Sequence, residues 1–184
     1  MEELIRLPHQ RRQGARLRED RLGRVGVLLD RLAFTGLEII PLIYVLISYV
    51  FPGWLGFANV YWPRWVNWLG VGISVAALGL LWRAHQDLGQ QWSATLAIQA
   101  EHRLVRQGVY HYIRHPIYAA LWLTALAQLC LLPNWLAGGA GVVCFLPLYL
   151  SRVPQEEQSL LKYFGEAYRL YMQETGRLLP RLGR

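Results

Sequence analysis

The sequence predicts an all-α fold, a polytopic membrane helical bundle of about four transmembrane helices with a C-terminal amphipathic helix. Three observations predict it. Of 184 residues, 54% are hydrophobic and only 17% are charged, too apolar a balance for an ordinary soluble domain. Four apolar runs follow one another at Ala33–Phe51, Val66–Trp82, Ile117–Leu132 and Trp135–Leu150. The charge, +7 overall, is laid out with a strict alternation. Seven arginines fall in residues 1–24, and Arg83, Arg103, Arg106 and Arg114 lie between the second and third runs. Arg152, Lys162, Arg169, Arg177, Arg181 and Arg184 follow the fourth. The loop from Pro52 to Trp65 holds one base, Arg64, and the Pro133-Asn134 turn holds none. An even number of spans with both termini on the basic, cytoplasmic side fits the positive-inside rule.

Each element has its own justification. Residues 1–24 are too polar for a signal peptide, since no apolar region follows the first charges. They read as a basic segment lying on anionic lipid, followed by one membrane domain over residues 25–184. The first run contains Glu38, expected to face another helix or to be protonated. It joins the second run through an aromatic loop, Phe51 to Trp62, whose tryptophans and tyrosine suit a membrane interface. Three of the runs are slightly short of the roughly 20 residues needed to cross a bilayer, and flanking Trp, Tyr and Arg extend them. Residues Gln86 to Arg106 form a polar connector. The third and fourth runs are parted only by Leu132-Pro-Asn-Trp135, which forces a tight antiparallel pair. From Pro154 a new helix is expected, with Pro154 in its first turn and Glu156 and Glu157 at its positive end. Leu160, Leu161, Phe164, Tyr168 and Tyr171 then share one face, and Lys162, Glu166, Arg169 and Gln173 the other. Cys130 and Cys144 fall inside apolar runs and read as small core residues. The arginines flank apolar runs and form no separate basic domain, which argues against nucleic acid as a partner.

The chemistry concentrates in two places. Gly108-Val-Tyr-His-Tyr-Ile-Arg-His-Pro-Ile-Tyr118 packs a guanidinium, two imidazoles and three phenols at the mouth of the third run. Arg152-Val-Pro-Gln-Glu-Glu157 follows the fourth. Polar groups are costly beside hydrocarbon and need a partner or a function there. The tight turn returns the chain to the side it left, so the two clusters are predicted to meet. Taken singly, each residue has a plainer reading: Arg114 reaching lipid phosphates, His115 capping a helix, the tyrosines forming an interfacial belt, Arg152 and Glu156 pairing at a helix end. No zinc-ligand pattern, nucleophile elbow, Walker loop or dinucleotide fingerprint is present, and no metal is expected.

The segment Leu104 to Tyr118 with its Arg-His-Pro-x-Tyr element, followed by Glu156-Glu157, Phe164-Gly165, Tyr168, Tyr171 and Pro180, resembles the isoprenylcysteine carboxyl methyltransferase family and related phospholipid methyltransferases. These are integral membrane enzymes that use S-adenosylmethionine. The resemblance covers about Leu88 to Pro180 and implies a cofactor-binding region over about residues 86–180. By position it implies cofactor contacts at Gln99, His102, Arg103, Leu104, Val105, Tyr110, His115, Pro116, Tyr118 and Glu156. It implies catalytic roles for Arg152 and Glu156, with Arg152 touching the substrate. Ala120 stands where the family usually has glycine, and the Asn often found near Gln91-Trp92-Ser93 is absent.

The expected activity is methyl transfer from S-adenosylmethionine to a lipophilic acceptor, a carboxylate of an isoprenylcysteine-like substrate. The acceptor is a small molecule or a lipidated chain met within membrane lipid. Other readings of the same motifs are N-methylation of a phospholipid or amino lipid, a membrane reductase using NADPH, and a non-enzymatic subunit that binds lipid headgroups. Small size and the lack of organelle targeting suggest a prokaryotic inner membrane.

Overall fold

A computed structural model describes residues 25–51, 53–89 and 104–181. The basic segment 1–24, the Gln91-Trp92-Ser93 stretch and the expected contacts Gln99, His102 and Arg103 lie outside them. The described residues are helical apart from turns and loops: α1 (Val25–Val50), α2 (Arg64–Leu88), α3 (Pro116–Leu131), α4 (Trp135–Phe164) and α5 (Glu166–Glu174). Helices α1, α2 and α4 are long and apolar enough to cross a membrane. Large apolar side chains such as Leu46, Trp68, Val75 and Leu78 lie exposed on the first two, inverting the pattern of a water-soluble bundle. The protein is an integral membrane protein.

Helix α1 is interrupted by a π turn at Thr35–Ile39, which Pro41 helps to explain. Proline has no backbone N–H, so it cannot bond the carbonyl four residues back, at Leu37. That carbonyl accepts instead from the Gln128 amide of α3. Glu38 sits on the exposed side of this turn, so it does not face another helix among the described residues. Gly36 lets α1 approach α4, because a side chain there would run into Cys144 and the Ala140 carbonyl. Gly138 does the same between α4 and the Gln128 carbonyl of α3. Small residues at helix crossings are how membrane bundles gain van der Waals contact. Beside the crossings, Ala33, Leu37, Ala125, Phe145 and Leu148 form the buried core.

The connection between α3 and α4 is three residues long, as the sequence required. Asn134 within it is fully buried and caps α4, accepting from the Leu136 and Ala137 N–H groups at 3.1 and 3.2 Å. Its amide donates to the Leu55 carbonyl and to Asn59 Oδ1, both at 3.1 Å. One side chain thus ties the loop between α1 and α2 to the turn between α3 and α4.

Three expectations at the opposite end need correction. Pro154 does not open a new helix; α4 runs without a break from Trp135 to Phe164, with Pro147 and Pro154 inside it. The expected C-terminal helix is divided at Gly165, whose φ of 56° is a left-handed conformation that favours glycine. Only Glu166–Glu174 forms the separate amphipathic element, with Tyr168 and Tyr171 buried. The polar connector also begins later than expected, since Gln86 to Leu88 complete α2. These lengths position the site. At about 1.5 Å per residue, α3 is about 24 Å long and α4 about 45 Å, against about 30 Å of hydrocarbon. Counted from Trp135, Arg152 lies about 26 Å and Glu157 about 33 Å along α4, so this stretch reaches the edge of the apolar layer on the side where α3 begins.

Candidate active site

The loop before α3 is fixed at both ends. Asp87, in the last turn of α2, accepts from the Val109 N–H at 2.8 Å and packs against Gly108. Gly108 has a φ of 59°, so a side chain there would be strained and would clash. At the loop's other end the C-terminal segment pairs with it. Arg114 N–H donates to the Gly176 carbonyl at 2.9 Å and His115 N–H to the Arg177 carbonyl at 3.1 Å. Pro116 then occupies the first turn of α3, where a missing N–H costs nothing.

The two polar clusters meet. Glu157, buried on α4, lies 3.1 Å from Arg114, 3.3 Å from His115 and 2.5 Å from Arg177. Arg114 does not reach lipid phosphates. Its side chain is only 8% exposed, and it donates to the Met172 carbonyl at 3.0 Å and to the Thr175 carbonyl. It thereby satisfies carbonyls at the end of α5 that the helix leaves open. One turn of α4 from Arg152, Glu156 accepts from the Tyr118 hydroxyl at 2.5 Å and lies 3.8 Å from His115 Nδ1.

Of these groups, Arg114, His115, Tyr118 and Glu156 border a cleft of about 180 Å³. Of the expected cofactor contacts, Leu104, Val105, Tyr110, His115, Pro116, Tyr118 and Glu156 all line it. Arg152 does not. Its guanidinium pairs with Asp30 of α1 at 3.1 Å, still close enough to act on Tyr118 and Glu156. Leu88, Ile117, Leu160, Phe164, Tyr168 and Tyr171 complete the wall. The spacing of the last four marked one face of a helix and gave no sign that the face enclosed a void. Leu88 and Leu104 both line the cleft, and they lie at either side of residues 90–103. The described walls alone enclose less than the roughly 300–1,000 Å³ of a typical small-molecule pocket.

Electrostatics set the character of the walls. Burial pushes the phenols of Tyr110 and Tyr168 well above their ordinary range and that of Tyr171 up to about 12. All three are neutral hydrogen-bonding groups at physiological pH. Tyr171 spends its hydroxyl on the Tyr110 carbonyl at 2.5 Å. The buried Tyr168 hydroxyl has no hydrogen-bond partner among the described residues, and such a group is costly unless a ligand or water meets it. The hydrogen bonds that Arg177 donates to Glu157 hold its guanidinium charged beyond the usual range. The site thus joins an acid, an imidazole and neutral phenols to apolar walls, a lining suited to a molecule with both a flat apolar part and a charged tail.

The sequence pattern of the isoprenylcysteine carboxyl methyltransferase family matches residues 68–162, slightly more than half the chain. The chain belongs to that family. Protein-S-isoprenylcysteine O-methyltransferase of Homo sapiens is 29% identical over 136 residues, 69% of this chain and 48% of that protein. The enzyme of the same name from Schizosaccharomyces pombe is 30% identical over 94 residues, 50% of this chain and 40% of that one. Protein-S-isoprenylcysteine O-methyltransferase B of Arabidopsis thaliana is 28% identical over 120 residues, 63% of this chain and 60% of that one. The chain thus spans about half the length of the curated relatives it matches. The solved structure of the eukaryotic intramembrane Ras methyltransferase of this family aligns with a TM-score of 0.60 at 22% identity. It covers 80% of this chain and 52% of that one, which establishes a shared membrane helical fold.

Proposed function

We propose that this protein is an integral membrane methyltransferase that moves a methyl group from S-adenosylmethionine to the carboxylate of a lipophilic, isoprenylcysteine-like acceptor. Membership of the family implies a methyl donor. The observation that carries the reading is the joining of Tyr118, Glu156 and His115 at one cleft, with Arg152 a single helical turn away. The O-methyltransferase names of the relatives favour a carboxylate over an amino lipid, a reductase or a non-enzymatic role. We further infer a prokaryotic inner membrane with both termini on the cytoplasmic side, where the basic segments lie.

The lining fits the proposed cofactor. Glu156 offers an acceptor for an ammonium group, the unpartnered Tyr168 hydroxyl offers a polar contact, and Pro116, Leu104, Val105 and Phe164 supply an apolar bed. When bound, S-adenosylmethionine supplies a methyl group on a sulfonium, which passes to the acceptor oxygen as the methyl–sulfur bond breaks. The residues have to align and exclude water, because a carboxylate is already ionised at pH 7 and needs no base. Arg152 holds that carboxylate, since a guanidinium presents two parallel donors to it. His115 is fixed between Glu156 and Glu157 and orients the cofactor's polar tail together with Tyr110. Apolar walls favour a reaction in which two opposite charges disappear.

The deciding experiment is transfer of a labelled methyl group by the purified protein to a panel of prenylated carboxylates and amino lipids. Label in a base-labile ester of the carboxylates supports the reading. Label confined to amines would reassign the acceptor, and label in neither would reject the function. Separate titration with a reduced nicotinamide cofactor tests the reductase reading directly.

A further inference from the structure

Nothing in the sequence singles out Asp30, and it lies outside the residues that line the cleft. Its carboxylate nevertheless meets Arg152 at 3.1 Å across 122 positions of sequence, and it acts on Glu156 as well. The Asp30 side chain is 45% exposed and that of Arg152 is 21% exposed, so the pair lies at the rim. An ion pair so exposed adds little to stability, while a carboxylate six residues into an apolar membrane helix needs a partner or a task. Among the described residues, the partner it has is the one guanidinium next to the Tyr118–Glu156 pair that no buried acid holds. Arg114 and Arg177, by contrast, are both committed to Glu157.

We propose that Asp30 is a displaceable counter-ion, standing at Arg152 in the place that the acceptor's carboxylate takes. The inference rests on the carboxyl methyl transfer proposed above. An acceptor in its acid form is an anion and competes with Asp30 for the guanidinium. On transfer, a bond forms between a carboxylate oxygen and the methyl carbon as the methyl–sulfur bond breaks. The negative and positive charges vanish together and no proton is released. The resulting ester is neutral and offers no charge-assisted hydrogen bond, so it gives up Arg152 and Asp30 pairs with the guanidinium again. Asp30 touches none of the reacting atoms. It is a positioning residue that acts through Arg152 and sets how tightly the anionic acceptor is held.

The test is steady-state kinetics on an N-acylated S-prenylcysteine, comparing the wild-type protein with Asp30→Asn and Asp30→Glu. Removing the competing charge lowers KM for the acid by about two- to fivefold, the fraction of Arg152 that a rim pair withholds. KM for S-adenosylmethionine and inhibition by the methyl ester stay where they are, and Asp30→Glu restores KM toward the wild-type value. A purely structural pair gives a different result, with KM for the acid unchanged or raised, or both KM values shifting together, and that overturns the inference. Asp30→Ser is the second neutral variant, and loss of folded protein in both neutral variants also overturns it. A wild-type protein that methylates no carboxylate removes the proposed function and this role with it. Transfer with an unmoved KM in Asp30→Asn removes only the role of Asp30.

Discussion

At one end of the bundle a neutral side chain, Asn134, ties two loops together; at the other a carboxylate, Glu157, ties two guanidinium groups and an imidazole. Asn134 accepts from two N–H groups and donates to two oxygens, so both its donor and its acceptor capacity are used within the chain. Glu157 does comparable work with charge, holding the loop before α3, the C-terminal segment and α4 in register. The second knot has a cleft beside it and a hydroxyl, that of Tyr168, with no partner among the described residues. A closed end needs only hydrogen bonds matched to backbone groups. An end that must hold a charged ligand while staying open needs groups with strong and fixed fields.

The largest expected effect breaks the charged knot. Glu157→Ala leaves Arg114 buried without its anion, and breaking such a pair costs about 3–5 kcal/mol. Chemical unfolding in detergent should show that loss, with the site disordered at the same time. If stability falls by less than the Asn134 variant described next, the charged end is not the knot described. Asn134→Ala should lose about 1–2 kcal/mol, the worth of an N-cap, with cofactor binding preserved, because the cleft lies at the opposite end. Impaired binding in that variant would mean that the two ends are coupled. The smallest effect is alkaline. Tyr171 titrates near 10.0 when unfolded and near 12 when buried, so folding favours its protonated form. Its stabilisation is full below pH 10 and is lost as pH rises toward 12. Unfolding temperatures should fall across that window in the wild type and fall less in Tyr171→Phe.

The two ends also differ in how far the sequence revealed them. The turn containing Asn134 was legible as a tight connection, but its hydrogen bonds to Leu55 and Asn59 were not, because those partners lie over 70 positions away. At the other end the meeting of Arg114-His115-Pro116 with Glu156-Glu157 followed from hairpin geometry alone, and the family resemblance added Leu104, Val105, Tyr110 and Tyr118 to the same cleft. Three things stayed hidden. Pro154 carries a strong helix-start signal locally, yet the helical register of α4 passes through it. Gly165 breaks the amphipathic pattern without changing its period. Asp30 sits in a polar-to-apolar transition where a charge draws no notice, and only the packing of α1 against α4 brings it to Arg152.

The cleft at the Tyr118–Glu156 pair is the proposed site of the methyl donor, and direct titration of S-adenosylmethionine into wild-type protein and Glu156→Gln tests this most simply. Loss of a charge-assisted hydrogen bond of about 1.5–3 kcal/mol predicts affinity weakened by about ten- to a hundredfold, with the variant still folded. Equal affinity in the two proteins would place the cofactor elsewhere and contradict the account.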